Sequence, residues 1–82
     1  MSLAHEARMH GASSEFITVL KKGRGTSAHE WAEKAHKTGD WDMRKHGMSG
    51  FAKNLYMGDV KRAESHTLNR HEIATLEKIF SV

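Results

Sequence analysis

The chain has 82 residues, of which 28% are charged and 38% hydrophobic, and its formal net charge is +3. The absence of cysteine excludes a disulfide framework, a thiolate zinc site and a cysteine nucleophile. This length supports one thin core, because surface scaling leaves only roughly 63% of the unfolded chain's surface buried on folding.

The positive charge is concentrated in the middle of the sequence. Residues 21–62 hold ten of the thirteen lysines and arginines and five of the ten acidic residues, a local net charge of +5. The flanking segments hold three cations and five acids, a net charge of −2. A basic segment is typical of proteins that bind polyanions, and an evenly solvated mixed surface is the alternative interpretation.

Apolar residues spaced three and four apart predict helix along most of the chain. In the first segment, Gly11 is a candidate break and Ser13 or Ser14 a candidate cap. Residues 16–20 have strand-like composition, so a strand is the alternative there. Residues 21–25 suit a helix C-terminus, because cations complement the helix dipole and glycine adopts the left-handed cap. One helical face of this segment comprises Met9, Ala12, Phe16, Val19 and Leu20.

A second helix is predicted from Ser27 to about Thr38. Ser27 and Glu30 have the spacing of a capping box, and Gly39 follows the expected end. The apolar stripe of this helix is mostly alanine, with Trp31 as the one large side chain. Close packing against a neighbouring helix is therefore expected.

Residues 39–50 are predicted to form a loop with at most one helical turn, because three of the twelve are glycine. Trp41 and Met43 are expected to attach this loop to the core. Trp41 also lies close enough in sequence to Trp31 for the two indoles to meet.

Three short helices are predicted after the loop. The first runs from Ser49 or Met48 to Tyr56, and Asp59 is the expected cap of the second, which reaches about Ser65. Asn69 and Glu72 predict a box-like start for the C-terminal helix. The inward stripe of that last helix is predicted to be Ile73, Leu76, Ile79 and Phe80.

These elements together predict an all-α fold. We expect one helical domain over residues 1–82, a compact bundle of four to five short helices. The predicted core consists of Phe16, Leu20, Trp31, Phe51, Leu55, Ile73, Leu76 and Phe80.

Seven histidines in so short a chain raise the question of metal binding. His29, Glu33 and His36 lie at i, i+4 and i+7, which places them on one helical face. A di-iron bundle site would need a second Glu-x-x-His, and the chain has none. Exposed histidines on a solvated face are the alternative.

Catalytic motifs are incomplete in this sequence. No Gly-x-Ser-x-Gly elbow occurs, and Asp40 and Asp42 fit turn-forming aspartates better than a paired-carboxylate site or a calcium loop. Residues 22–27 precede a predicted helix and hold two glycines and two cations, which suits contact with a nucleic-acid phosphate. They match no nucleotide-binding motif.

Residues 49–65 resemble a helix-turn-helix unit in outline. Ala52 would let two short helices approach, and Lys61 and Arg62 lie on the second. The turn residues Gly58 and Val60 do not both fall at the customary distances from Ala52, and the second helix is short for reading a groove. The similarity covers 17 of the 82 residues.

The leading functional prediction is a small, basic, non-enzymatic regulatory protein associated with nucleic acid. We predict no catalytic residue, no cofactor and no metal ligand. The predicted phosphate contacts are Lys21, Lys22, Arg24, Lys53, Lys61 and Arg62.

The alternative is a protein-binding module, an inhibitor or adaptor that docks on an acidic or apolar surface of a larger protein. Its predicted contacts are Trp41, Met43, Met48, Tyr56 and Met57. A homodimer would add buried surface to so small a core and stays open. Because no apolar run approaches the roughly 20 residues of a membrane helix and no leader pattern opens the chain, we expect a cytoplasmic protein without membrane contact.

Overall fold

The computed structural model of this protein describes residues 2–80. The predicted domain of residues 1–82 also includes Met1, Ser81 and Val82, which lie outside that range. Residues 2–80 contain six helices and no strand, so the all-α class is confirmed and the helix count exceeds the predicted four to five. In chain order the helices are α1 (Leu3–Met9), α2 (Ser14–Lys22), α3 (Ser27–Thr38), α4 (Gly50–Tyr56), α5 (Val60–Glu64) and α6 (Arg70–Phe80).

The first apolar segment divides into α1 and α2 at the predicted glycine. Gly11 has φ +89°, a left-handed conformation that glycine adopts without a steric penalty. Ser13 then caps α2, because its Oγ accepts a hydrogen bond from the Phe16 amide at 3.2 Å and donates one to the Leu55 carbonyl of α4. Residues 16–20 lie inside α2, so the strand alternative for them is wrong.

The cap of α3 is one residue earlier than predicted. Thr26, not Ser27, is the N-cap residue, and its Oγ1 accepts from the His29 amide at 3.2 Å and donates to the Gly23 carbonyl at 2.7 Å. Thr26 is fully buried, whereas Ser27 is the first helical residue and directs its hydroxyl to other partners. Gly39 ends the helix in the left-handed conformation, as predicted.

The other predicted helix starts are confirmed. The Ser49 hydroxyl caps α4, and the Asp59 carboxylate caps α5 by accepting from the Arg62 amide at 3.0 Å. Asn69 and Glu72 form a reciprocal capping box at the start of α6, with hydrogen bonds of 2.8 and 3.0 Å. Residues 39–49 form a loop without helix.

The core lies among the six helices and the 39–49 loop and contains most of the predicted residues. Ile73 is the exception, because 47% of it is exposed. The first turns of α6 direct Glu72, Thr75 and Leu76 inward instead, so the predicted inward stripe is wrong at this position. Trp31 and Trp41 meet edge to face, with ring centroids 5.6 Å apart, which confirms their predicted contact.

The accessible surface is 5001 Å². This area agrees with the roughly 4,970 Å² that scaling predicts for a folded monomer of this mass. Across residues 2–80, none of the helices combines the length and the apolar composition needed to cross a membrane.

Candidate nucleic-acid interface

The six cations predicted to contact phosphates are all exposed. Two of them close α2, one lies in the turn before α3, one lies on α4 and two lie on α5. Within residues 2–80, the ion pairs involve other side chains. The six are Lys21, Lys22, Arg24, Lys53, Lys61 and Arg62.

Two other cations of the basic middle are neutralised locally. The Arg44 guanidinium donates to both carboxylate oxygens of Asp42, at 3.0 and 2.8 Å, and holds the pKa of Asp42 at about 2. Lys45 Nζ lies 2.8 Å from Asp40 Oδ2 and lowers the pKa of Asp40. The 39–49 loop therefore contributes little net charge, and the other exposed cations of the basic middle lie on α2, α3, α4 and α5 and in the turn before α3.

The turn before α3 is held against the start of α6. Gly25 has φ +91°, and a Cβ at this position would lie 2.7 Å from the His71 ring. Asn69 Nδ2 donates to the Gly25 carbonyl at 3.3 Å. Tertiary packing thus places the His71 ring against Gly25, the residue that follows Arg24 in the turn. His71 was not among the predicted contacts.

The α4–α5 hairpin presents Lys53, Lys61 and Arg62 on exposed positions. Asp59 caps α5 after a turn in which Gly58 has φ +84°. Two helices joined by a turn are therefore present, as predicted for residues 49–65. Because α5 has five residues, its length is only about 7.5 Å. So short a helix suits contact with the phosphate backbone better than a reading of several base pairs in a groove.

The five residues predicted to contact a protein partner do not form one exposed surface. Trp41 and Met48 are each 7% exposed and belong to the core, and Met43 and Tyr56 pack against it. Burial raises the pKa of the Tyr56 phenol, whose hydroxyl donates to the His10 carbonyl. Met57 is 63% exposed. Trp41 and Met43 attach the loop to the core, as predicted, and Met48 adds to it, so these side chains complete a thin core instead of forming a docking surface.

The candidate metal ligands of α3 do not converge. His29 Nδ1 lies 3.1 Å from Glu33 Oε1, but His36 Nδ1 lies 2.5 Å from Glu6 Oε2 on α1. Over residues 2–80, no group of three histidine or acidic side chains is arranged to hold a metal ion. His36 instead joins α1 to α3, a contact between residues 30 positions apart that helical spacing alone does not predict.

A cleft of about 560 Å³ opens where α3, α4 and α6 begin. Its lining includes Ser27, Ser49, His66 and Glu72, residue types that occur in hydrolase sites. Ser27 Oγ donates to Glu72 Oε2 at 2.5 Å and lies 2.7 Å from Ser49 Oγ, while His66 Nε2 lies 2.8 Å from Asn54 Nδ2. The hydroxyls and the carboxylate are thus engaged at helix starts, and the imidazole contacts an amide instead of a serine.

Comparison with known proteins yields no relative: no family model matches the chain, and no curated protein or solved structure is significantly similar to it.

Proposed function

We propose that this protein is a small, non-enzymatic regulatory protein that associates with nucleic acid through its central lysines and arginines. The observation that carries the proposal is that only two of the ten cations in the basic middle are paired with acids within residues 2–80, while the other eight, including Lys34 and Lys37, are not. Arg44 and Lys45 are paired with aspartates, whereas the six predicted phosphate contacts are exposed and hold no acidic partner within residues 2–80.

Unpaired surface cations are the groups that neutralise phosphates and release the counterions condensed on a nucleic acid. Such contacts supply affinity and orientation, and they weaken steeply as salt concentration rises. The short α4 and α5 helices and the turn before α3 present their cations at separate points of the surface. That distribution supports contacts along a backbone rather than recognition of one base.

The test is a fluorescence anisotropy titration of a labelled DNA duplex at about 50 and about 200 mM salt. We expect measurable binding at the lower concentration and a marked loss at the higher. The variant K61A/R62A should weaken binding about tenfold and reduce the slope of log K against log salt by about two.

The matched control is R44A/K45A, which lowers net charge by the same two units but removes cations already paired with Asp42 and Asp40. We expect this variant to bind nearly as well as the parent protein. An absence of duplex binding at low salt, or equal losses in the two variants, contradicts the proposal.

A second candidate function, docking on a protein partner, is favoured by an apolar groove between α5 and α6. Leu68, Ile73 and Leu76 line this groove, which has a volume of about 190 Å³, and Glu64 and Glu77 lie beside them. The acidic edges fit a partner helix that carries leucine flanked by lysine or arginine.

Calorimetry with a designed Leu/Lys helical peptide tests this second candidate. Binding should be lost in I73D and with a matched Leu/Glu peptide. If the Leu/Lys peptide does not bind, or if I73D binds it as well as the parent protein does, the docking function is wrong.

A further inference from the structure

A groove between α1 and α2 is lined by basic, hydroxyl and apolar residues, and by no carboxylate of residues 2–80. Its volume is about 240 Å³, enough for a phosphate group and its immediate substituents. The lining residues are Ser2, Ala4, His5, Arg8, Ile17 and Lys21. Of these, Lys21 is one of the six predicted phosphate contacts.

The packing of α1 explains why this groove has one sign of charge. Ala4 and Ala7 are buried, so α1 lies close against its neighbours. His5 and Arg8 are three residues apart and therefore share a face of α1. Glu6 lies on a different face, where it is 2.5 Å from His36 Nδ1 and accepts a hydrogen bond from Trp41 Nε1 at 3.0 Å. The one acid of α1 is thus engaged outside the groove.

The groups in the groove are complementary to a phosphate. The Arg8 guanidinium offers paired N–H donors, and the Lys21 ammonium adds a second positive charge from the facing helix. Ser2 Oγ accepts from the His5 amide at 3.1 Å as the cap of α1, which leaves its own O–H free to donate to a ligand oxygen. Ile17 and Ala4, both buried, form the apolar part of the lining.

We propose that the α1–α2 groove binds a phosphate group of a nucleic-acid backbone, held by Arg8 and Lys21. This inference rests on the proposed function and adds to it a defined site, with Arg8 as a contact outside the basic middle. A free phosphate or pyrophosphate ion carries the same chemistry, so the experiment includes both sources.

The experiment compares R8A/K21A with K34A/K37A, whose two cations are exposed on α3 and do not line the groove. Both variants lower net charge equally, and all four side chains are exposed, so the fold should persist and is checked by circular dichroism. Duplex affinity is measured by anisotropy against salt concentration. In parallel, amide chemical shifts are recorded during titration with inorganic phosphate and with pyrophosphate.

We expect R8A/K21A to weaken duplex binding about tenfold and to lower the salt slope by about one, while K34A/K37A changes both much less. Duplex binding with equal effects in the two variants overturns the groove inference and leaves the proposed function standing. If the duplex fails to bind but phosphate shifts the groove amides in the parent and not in R8A/K21A, the proposed function falls and the phosphate site stands. If neither ligand binds, both are overturned.

Discussion

Glu72 is a carboxylate that is 3% exposed, and it takes part in none of the ion pairs within residues 2–80. Its oxygens accept hydrogen bonds from the Ser27 amide, the Ser27 hydroxyl and the Asn69 amide. The charge is therefore stabilised by N–H and O–H donors at the starts of two helices, where the helix dipoles also favour an anion. One side chain caps α6 and fastens its first turn to α3.

Replacement of Glu72 should be among the most destabilising changes in this chain. E72A leaves the Ser27 and Asn69 amides, whose hydrogen bonds to Glu72 are part-buried, without that partner, and we expect a loss of about 2–4 kcal/mol of unfolding free energy. E72Q keeps the shape and should lose about 1–2 kcal/mol. Urea unfolding followed by circular dichroism measures both. The control is E77A on the exposed face of α6, and a loss equal to that of E72A would contradict the assigned role.

Substitutions at Gly11 and Gly25 distinguish the free-energy cost of backbone strain from that of steric contact. Both have φ near +90°, but a Cβ at Gly11 meets open space, whereas one at Gly25 lies 2.7 Å from the His71 ring. G11A should cost about 1 kcal/mol through backbone strain alone. G25A should cost about 1–3 kcal/mol more through overpacking.

Thermal or urea unfolding of G25A in an H71A background checks that explanation. If the ring is the obstacle, the extra cost of G25A over G11A should largely disappear when the ring is removed. An unchanged extra cost would place its origin elsewhere in the turn.

At the scale of elements, the side chain of Glu6 adds hydrogen bonds from α1 to α3 and to the 39–49 loop. Hydrogen bonds from His36 and from Trp41 lower the pKa of Glu6. Because the folded-state pKa is below the unfolded one, Glu6 stabilises the fold fully above about pH 4.3 and loses this contribution as pH falls toward its folded-state pKa. His10 stacks on Trp41 at 5.4 Å, so the indole reports on the same junction.

Urea unfolding of the parent protein and of E6Q, measured at steps of about one pH unit from about pH 3 to about pH 7, tests this linkage. We expect E6Q to be less stable near neutral pH and the difference to shrink below about pH 4.3. Tryptophan fluorescence should change over the same range in the parent. E30Q, which alters an exposed acid on α3, should track the parent at every pH.

Helix starts were largely predictable because a cap is a contact across three residues. Ser49, Asp59 and Asn69 were each identified from local sequence. At α3 two adjacent hydroxyl residues compete, and Thr26 caps the helix because Ser27 is bonded to Glu72, 45 residues away. The exposure of Ile73 has the same origin, since drawing Glu72 inward turns the next residue outward.

At the scale of the whole molecule, five of the seven histidines are exposed. An imidazolium is a cation, so protonation of exposed histidines adds to the positive charge that faces a polyanion. Duplex affinity measured by anisotropy should therefore increase as pH falls from about 8 to about 5.5. The variant H5Q/H71Q, which removes imidazoles beside the groove and the turn, should reduce the increase more than H10Q/H66Q. Binding that stays flat over this range contradicts the expectation.

The sequence by itself determined the helical class, most helix boundaries, most of the core and the excess of cations between residues 21 and 62. These features depend on composition, on spacings of three and four residues and on short-range caps, all of which are local. Tertiary structure decided which cations within residues 2–80 remain without an acidic partner, the burial of Met48, the direction of Glu72 and the presence of Arg8 and Lys21 in one groove. These features depend on which helix faces meet. The neighbours of a side chain across a helix interface come from segments that are distant in sequence, so spacing within one segment does not predict them.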